Sequence, residues 1–502
     1  ELIERFTSPE KSAQALQSVK NFWSQFVDSE RVETPDDALN FMTNDWLKYQ
    51  AISCRLWGKS GPYQVSAGYG FRDQLQDSQI FLVSKPELTK KQILFHAAQQ
   101  FVEGDVYHWW FSIRGGGPRT NCSDDLLWLP FILSAYLQET SDFTILEETV
   151  PYVNGPAESL YEHCKRAIER SFSRFSPRGV PLMGDHDWND GLNAVGTQLK
   201  GESFWVAEFL YMILGDFIPL AHRQGDAQFA QKCQDVRESI KRSFECFGWD
   251  GEWYLQATTD AGLPLGSKDN TEGKIFLMPN IWAVISGLAE PERAHQAMES
   301  VSRYLLKDYG TLLNFPAFTK PRSDIGYVTR YAPGLRENGG VYTHAATWSV
   351  WAYTLMDQPE LAYEAYRRIC PPNRSADINR YWAEPYVTPG NIDGPQSEYY
   401  GRGGWTWYTG SAQWLHYVAT HWILGIRPRE EGLLVDPSIP TEWQGFKVKR
   451  TFRNAIYIIN VENPNHVSKG VKSVLVDGNP IAGQIIPVFQ DGREHSVEVV
   501  LG

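Results

Sequence analysis

The chain has 502 residues, with 47 Lys and Arg against 60 Asp and Glu, a formal charge of −13. That balance argues against nucleic acid or an anionic membrane as the main partner, since either needs a basic face. Hydrophobic residues at 42% and charged residues at 21% describe a globular chain rather than a disordered one. Nineteen Trp, 24 Tyr and 25 Phe stand out. Such rings either enrich a core or line a cleft that grips the C–H faces of sugars. Six cysteines, at 54, 122, 164, 233, 246 and 370, have neither CxxC nor zinc-ligand spacing. They read as reduced, mostly buried thiols of a cytoplasmic protein. No uninterrupted apolar run reaches the ~17 residues that span a bilayer, and no signal peptide opens the chain. It starts at Glu1 without Met and reads as a piece whose N-terminal part is missing.

In chain order, Leu16, Val19, Phe22, Trp23 and Phe26 recur at helical spacing over 10–28. Thr34-Pro35-Asp36-Asp37 then supplies an N-cap, a proline at the first helical position and an acid, predicting a helix to about Trp57. Further helices are predicted near 88–103, 124–138, 157–173, 203–223, 226–246, 279–288, 291–307, 344–356, 359–369 and 411–424. Paired helices in this number fit a toroid of inner and outer helices; a superhelical array would need a fixed sequence period, and none is present. Five long connections, 58–87, 104–123, 174–202, 308–343 and 370–410, are rich in Gly, Pro and aromatics. Loops beyond ~15 residues are uncommon without a function, so these are expected to gather and build a site. After Ile426 the texture turns to strands, at 432–435, 446–449, 455–461, 471–476 and 497–501, with turns at Asp477-Gly478-Asn479 and Asp491-Gly492. Hence the expected layout is a linker helix region at 1–40, a helical body at 41–426 and a small antiparallel β domain at 427–502. Arg427-Pro428-Arg429 marks the boundary.

The densest polar segment is Gly184-Asp-His-Asp-Trp-Asn-Asp-Gly191. As a calcium loop it has Asp185, Asp187 and Asn189 in place, but its Gly falls one position late and position twelve is Gly196 rather than Glu. As a zinc site it has one His and no second His or Cys nearby. Plain turn chemistry is a third reading. A fourth is a proton-donating acid, whose carboxyl needs an apolar wall or nearby anions to stay protonated. Trp188 would supply the wall, and Asp187 with a bound anion the field. Arg336-Glu-Asn-Gly-Gly-Val-Tyr-Thr-His344 combines a His with glycines that admit a close backbone approach. Thr409, Gly410 and Ser411 open the last helix, where free N–H groups favour an anion or where Thr or Ser simply caps. In Ser66-Ala-Gly-Tyr-Gly-Phe-Arg-Asp-Gln-Leu-Gln-Asp77 no dinucleotide fingerprint is present. Arg72 and Asp73 there suit sugar hydroxyls or an internal ion pair.

Together GYGFRDQLQD (68–77), SDDLLWLP (123–130), DWNDGLN (187–193), RENGGVYTHAATW (336–348), EPYV (384–387) and GRGGWTWYTGSA (401–412) resemble glycoside hydrolase family 94. This family holds cellobiose, cellodextrin and chitobiose phosphorylases and the phosphorylase domain of cyclic β-1,2-glucan synthases. The resemblance covers about 40–425, in order. It implies a mainly α fold, an (α/α)6 barrel with a small C-terminal β domain, and an N-terminal β-sandwich that this chain lacks. It also implies a homodimer. The implied reaction is reversible, inverting phosphorolysis of a β-glucoside to α-glucose 1-phosphate and a shorter sugar. Inorganic phosphate is the co-substrate, with no cofactor and no metal. By motif match Asp190 is the general acid. Asp73, Arg72, Trp188, Glu337 and Tyr327 would meet the sugar, and Arg55, His344, Thr409 and Gly410 the phosphate. One acid without a base suits phosphate, which is already an anion, whereas an inverting hydrolase needs a second carboxylate.

Departures bear on the leaving sugar. Ala67 stands where cellobiose phosphorylases carry an Arg, Thr388-Pro389-Gly390 where they carry a Gln, and Tyr327 and Tyr331 without their acid. The 401–412 motif is nearer the β-1,2-glucan branch, while Lys320, Arg322 and Arg330 suit an acidic acceptor. Two rivals stand: an inverting β-glucan hydrolase with Glu337 or Glu384 as base, and a non-catalytic glycan-binding fragment.

Overall fold

The computed structural model describes residues 3, 6–58, 60–61, 64–65, 68–111, 113, 115–407 and 410–502. The first helix, Pro9–Val27, starts where Ser8 accepts the Lys11 N–H at 3.1 Å. Its Trp23 and Phe26 meet Tyr49, Trp57 and Phe81. The next helix runs over 37–57 as expected, but its cap is Asp36, which accepts from Ala38 and Leu39 N–H at 2.8 and 3.1 Å. Thr34 lies two residues too early for that task. It is held by Asn40 instead, at 2.8 Å from its N–H.

The other predicted helices are present, among them Pro86–Ala97, Trp128–Thr140, Leu160–Phe172, Phe204–Arg223, Ala227–Phe247, Leu277–Ile285, Thr343–Leu355, Pro359–Ile369 and Ser411–Tyr417. Pairs form between neighbours in sequence: Ala227–Phe247 lies on Phe204–Arg223, and Pro359–Ile369 on Thr343–Leu355. A second set of contacts closes on itself. Trp128–Thr140 touches Phe204–Arg223, and contact then passes through Leu277–Ile285, Thr343–Leu355, Ser411–Tyr417 and 47–57 to Phe71–Asp77, which returns to Trp128–Thr140. Trp128, Trp205, Trp282, Trp348 and Trp414 are fully buried on these helices and stack in one chain of rings. Most of the tryptophan excess is therefore core.

One expected connection needs correction. The segment 58–87 holds a helix, Phe71–Asp77, continued by a tight turn Ser78–Phe81. Its buried face includes Arg72, Gln74, Gln76 and Asp77 beside Phe71 and Leu75, so polar residues conceal the apolar period. Phe204–Arg223 is long and apolar enough on average to cross a membrane, although Glu208 and Asp216 interrupt its apolar run, and it is mostly buried within the helical body. A core helix surrounded by other helices is apolar all round for the same reason a membrane helix is.

The C-terminal segment builds a six-stranded sheet in the order Glu30–Glu33, Gly445–Phe452, Ala455–Glu462, Glu494–Leu501, Val471–Val476, Asn479–Pro480. Neighbours run antiparallel except Ala455–Glu462 with Glu494–Leu501, which are parallel. Strand Glu30–Glu33 joins the sheet from the far end of the sequence. Arg427-Pro428-Arg429 lies within a strand, Ile426–Arg429, of a second sheet. Arg450 is fully buried and holds Glu30 at 2.8 Å and Glu139 at 2.6 Å, which ties sheet, N-terminal strand and helix Trp128–Thr140 together.

Candidate active site

The long connections meet one another. Ser123 N–H donates to His186 O at 3.0 Å, Ala194 to Ile325 at 3.1 Å, and Tyr327 to Asn193 Oδ1 at 3.0 Å. Val341–Tyr342, Pro389–Ile392 and Gly403–Thr406 form one small sheet. Within 184–191 the polar residues serve the turn. Asp185 accepts from Asn121 N–H, Asn189 from Gly191 N–H, and Asp187 from Asn189 N–H and the Ser203 and Gln256 side chains. Ser203 also caps helix Phe204–Arg223, so that helix start fixes the turn. The Asp190 side chain takes no part in this turn network and is 44% exposed.

Arg72 is the hub. It is buried, bonds Asp124 at 2.8 Å and the Asp187 carbonyl at 3.2 Å, and forms an ion pair with Asp190. His186 Nδ1 lies 3.3 Å from the same Asp190 oxygen. Burial pushes the Asp190 carboxyl up, but Arg72, then His186 and His108, outweigh it and hold it below the usual aspartate range. The expected raised acid is thus instead a carboxylate paired with Arg72. Asp187 is spent on the turn, and burial lifts its own carboxyl to about 6. Trp188 packs edge-on against Tyr342, His344 and Trp348.

On the other side of Arg72 lies a polar cradle. Arg55, buried in the π-helical stretch Gln50–Trp57, bonds Asp77 at 2.8 Å and Asp73 at 3.3 Å. Gly70 precedes helix Phe71–Asp77, and a Cβ there would lie 1.9 Å from an Asp73 carboxylate oxygen, so any side chain would push that carboxylate away from Arg55. His344 Nε2 lies 3.1 Å from Gln76 Oε1, which also accepts the Trp414 indole N–H at 2.9 Å. The Gln76 amide donates to Arg72 O, which fixes Oε1 as the acceptor. His344 Nε2 therefore carries its hydrogen and Nδ1 is an acceptor. Burial, then Arg55 and Arg72, keep the ring neutral, its pKa well below the usual histidine value. Gly410 abuts this edge: a Cβ there would lie 3.1 Å from His344 Nδ1. Thr409 and the Ala67 position lie outside the described residues.

Glu337 is buried beside Arg336, at 3.2 Å. Burial raises its carboxyl against the pull of Arg336, and Asp190 adds to the rise. Tyr327 lies in the field of both Asp190 and Glu337, and burial with these charges raises its phenol. Arg336 lies over the Trp405 ring at 3.4 Å and near Tyr331 at 4.6 Å. Glu384 accepts the Trp407 indole N–H at 3.0 Å. Arg322 is held by Asp324 at 2.6 Å, a ready partner that an acidic acceptor would have to displace.

Folding also brings His108 and Cys122 to His186, with ligand atoms within 4.8 Å of one another, so His186 has the neighbours that its sequence surroundings lack. Each is already engaged. His108 bonds Asp125 at 2.7 Å, which with burial opposing lifts its pKa to about 11, and the Cys122 thiol donates to Asp124 at 3.1 Å. The sequence reading missed Gln76, Asp77, Asp124 and His108. Helical spacing held the signal for the first two, since Arg72 and Gln76, and Asp73 and Asp77, are each four apart.

The sequence profile described as "Glycosyl hydrolase 94 superfamily, catalytic domain" matches residues 22–425. A cyclic beta-(1,2)-glucan synthase NdvB of Rhizobium meliloti (strain 1021) is 39% identical over 483 residues, covering 92% of this chain and 17% of its own length. An N,N'-diacetylchitobiose phosphorylase of Vibrio proteolyticus is 35% identical, covering 97% and 64%. A solabiose phosphorylase of Paenibacillus borealis is 34% identical, covering 93% and 60%. The chain spans less than two thirds of each of these relatives. Among solved structures, a GH78 family rhamnosidase of Bacillus sp. GL1 superposes with a TM-score of 0.61 at 10% identity, over 94% of this chain and 44% of that one. That is a likeness of fold alone.

Proposed function

As the chain belongs to the glycosyl hydrolase 94 superfamily, we propose that it carries out reversible, inverting phosphorolysis of a β-glucoside, yielding α-glucose 1-phosphate and a shortened sugar. The ring of inner helix contacts supports an (α/α)6 toroid as its body. What carries the reading is Asp190, a part-exposed carboxyl held by Arg72, beside a cradle built from Arg55, His344 and Gly410. Asp190 is the general acid and inorganic phosphate the nucleophile. Phosphate arriving in the cradle adds negative charge, and the sugar over Asp190 removes water. Both shift its carboxyl upward, toward the protonated form that donates to the leaving oxygen. Arg72, Asp73, Trp188, Tyr327 and Glu337 hold the glucosyl ring, and Arg55, His344, Thr409 and Gly410 hold the phosphate. Glu384, engaged by Trp407, is poorly placed to act as a hydrolytic base. The setting proposed is a cytoplasmic homodimer of a longer protein that includes a β-sandwich.

The test supplies the full-length protein with α-glucose 1-phosphate and one acceptor at a time: glucose, cellobiose, laminaribiose, sophorose or gluconate. Phosphate release that needs one acceptor, and falls by about 10²–10⁴-fold in Asp190→Asn, is expected. Cleavage of β-glucan in phosphate-free buffer, with no phosphate release from any pair, overturns the proposal in favour of a hydrolase.

A further inference from the structure

Asp77 has no role in the reaction as described so far. It is fully buried, and Arg55 takes one of its oxygens, Oδ2, at 2.8 Å. The other, Oδ1, has no hydrogen-bond donor among the described residues. It is aimed at the cradle: the point a Cβ of Gly410 would occupy lies 3.5 Å from Asp77 Oδ1 and 3.1 Å from His344 Nδ1. A buried carboxylate oxygen without a donor is costly, and one facing an anion site repels the anion unless a proton lies between them.

Monohydrogen phosphate brings that proton as its P–OH. Sulfate near neutrality has the same shape and charge but no hydrogen to offer. Resting on the phosphorolysis reading above, we propose that Asp77 is a specificity-determining residue of the cradle. Its Oδ1 accepts the P–OH hydrogen of monohydrogen phosphate, so the site admits a protonated tetrahedral anion and turns sulfate away. His344 does not replace it, because its Nδ1 accepts on a neutral ring and so carries no charge to repel an anion that lacks the hydrogen. Asp77, ionised against Arg55, only accepts. Burial lifts its carboxyl to about 6 with Arg55 opposing and Asp73 adding, which leaves the ionised form in the majority at neutral pH.

The experiment measures sulfate and arsenate as competitors of phosphate in phosphorolysis by the full-length protein at pH 7.5. Arsenate, which carries a proton as phosphate does, is expected to compete within a few-fold of the phosphate KM. Sulfate is expected to compete at least about tenfold more weakly, the worth of one hydrogen bond to a charged group. In Asp77→Asn the amide can donate, so the ratio of the sulfate inhibition constant to the phosphate KM is expected to narrow by about tenfold. Thermal melting checks that the variant is folded, and the wild-type comparison needs no variant. Sulfate competing as well as phosphate in the wild type overturns the inference, as does a parallel loss of both anions in the variant. Absence of any phosphate-dependent turnover instead sinks the phosphorolysis reading itself.

Discussion

Gly410 shows how little room the anion side allows. A methyl group there would sit 3.1 Å from both Cε1 and Nδ1 of His344, closer than ordinary van der Waals contact. The His344 ring is itself held by Gln76 and by contact with Trp188, Trp348 and Trp414, so it has little freedom to yield. Gly410→Ala should therefore raise the phosphate KM by about tenfold with a smaller change in the KM for the glucoside, as one polar contact is displaced. Equal changes in both KM values would remove Gly410 from the phosphate side. At this scale the sequence was informative where residues sit close in the chain. The segments 184–191 and 336–344 were picked out by composition and order, and the family resemblance singled out Asp190 within the first. Arg72 was chosen for the sugar, but its partners Asp124 and the Asp187 carbonyl come from elements 52 and 115 residues away.

The element that matters most for the cradle is the stretch 37–57. It begins as an α-helix and ends in π-helical turns, where Gly58 N–H donates to Ser53 O five residues back at 2.7 Å. Wide turns of this kind recur at functional sites because the extra residue re-aims the side chains beyond it. Here the same stretch anchors Thr388 through Gln50 and presents Arg55 to Asp73 and Asp77. Deleting Ser53 should let the segment close as an α-helix and swing Arg55 round by about 100° relative to Gln50. Phosphate-dependent turnover should be lost while the far-UV circular dichroism keeps its helical content. Retained phosphate affinity in that deletion would separate Arg55 from the anion. Helix Phe71–Asp77 is the counterpart on the other side. Its polar buried face hid it from a periodicity argument, and that same face is what the site uses.

Across the whole molecule, the Glu30–Arg450–Glu139 cluster joins the start of the chain, the last sheet and a central helix. Glu30 is 1% exposed. Burial opposes its charge, but His416, 3.2 Å away, and the charges of Arg450 and Lys48 outweigh it, holding its carboxyl far below the usual glutamate range. Because the folded-state pKa is depressed, this stabilisation is present above the ordinary glutamate value and is lost as pH falls below it. Glu30→Gln should cost about 3–5 kcal/mol at pH 7, the penalty for stripping one partner from a buried pair. Denaturant melts should show that gap to the wild type shrinking steadily below about pH 4. A gap that is constant with pH would mean the charge of Glu30 contributes nothing.

The sequence by itself determined the order and type of nearly all helices, the C-terminal strands and the motifs that carry the family resemblance. Each of these depends on residues within a few turns of one another, through apolar spacing, caps and glycine turns. Tertiary structure alone decided three things. It placed strand Glu30–Glu33 at the edge of a sheet made more than 400 residues later, because β pairing leaves no trace in local spacing. It brought His108 and Cys122 beside His186, where no sequence interval suggests it. And it set the charge of the site: Asp190 as a carboxylate against Arg72, His344 neutral with Nδ1 as an acceptor, and Asp77 facing the cradle with one oxygen that meets no donor among the described residues. Those states follow from burial and from charges a few ångströms away in space, which a linear sequence does not specify.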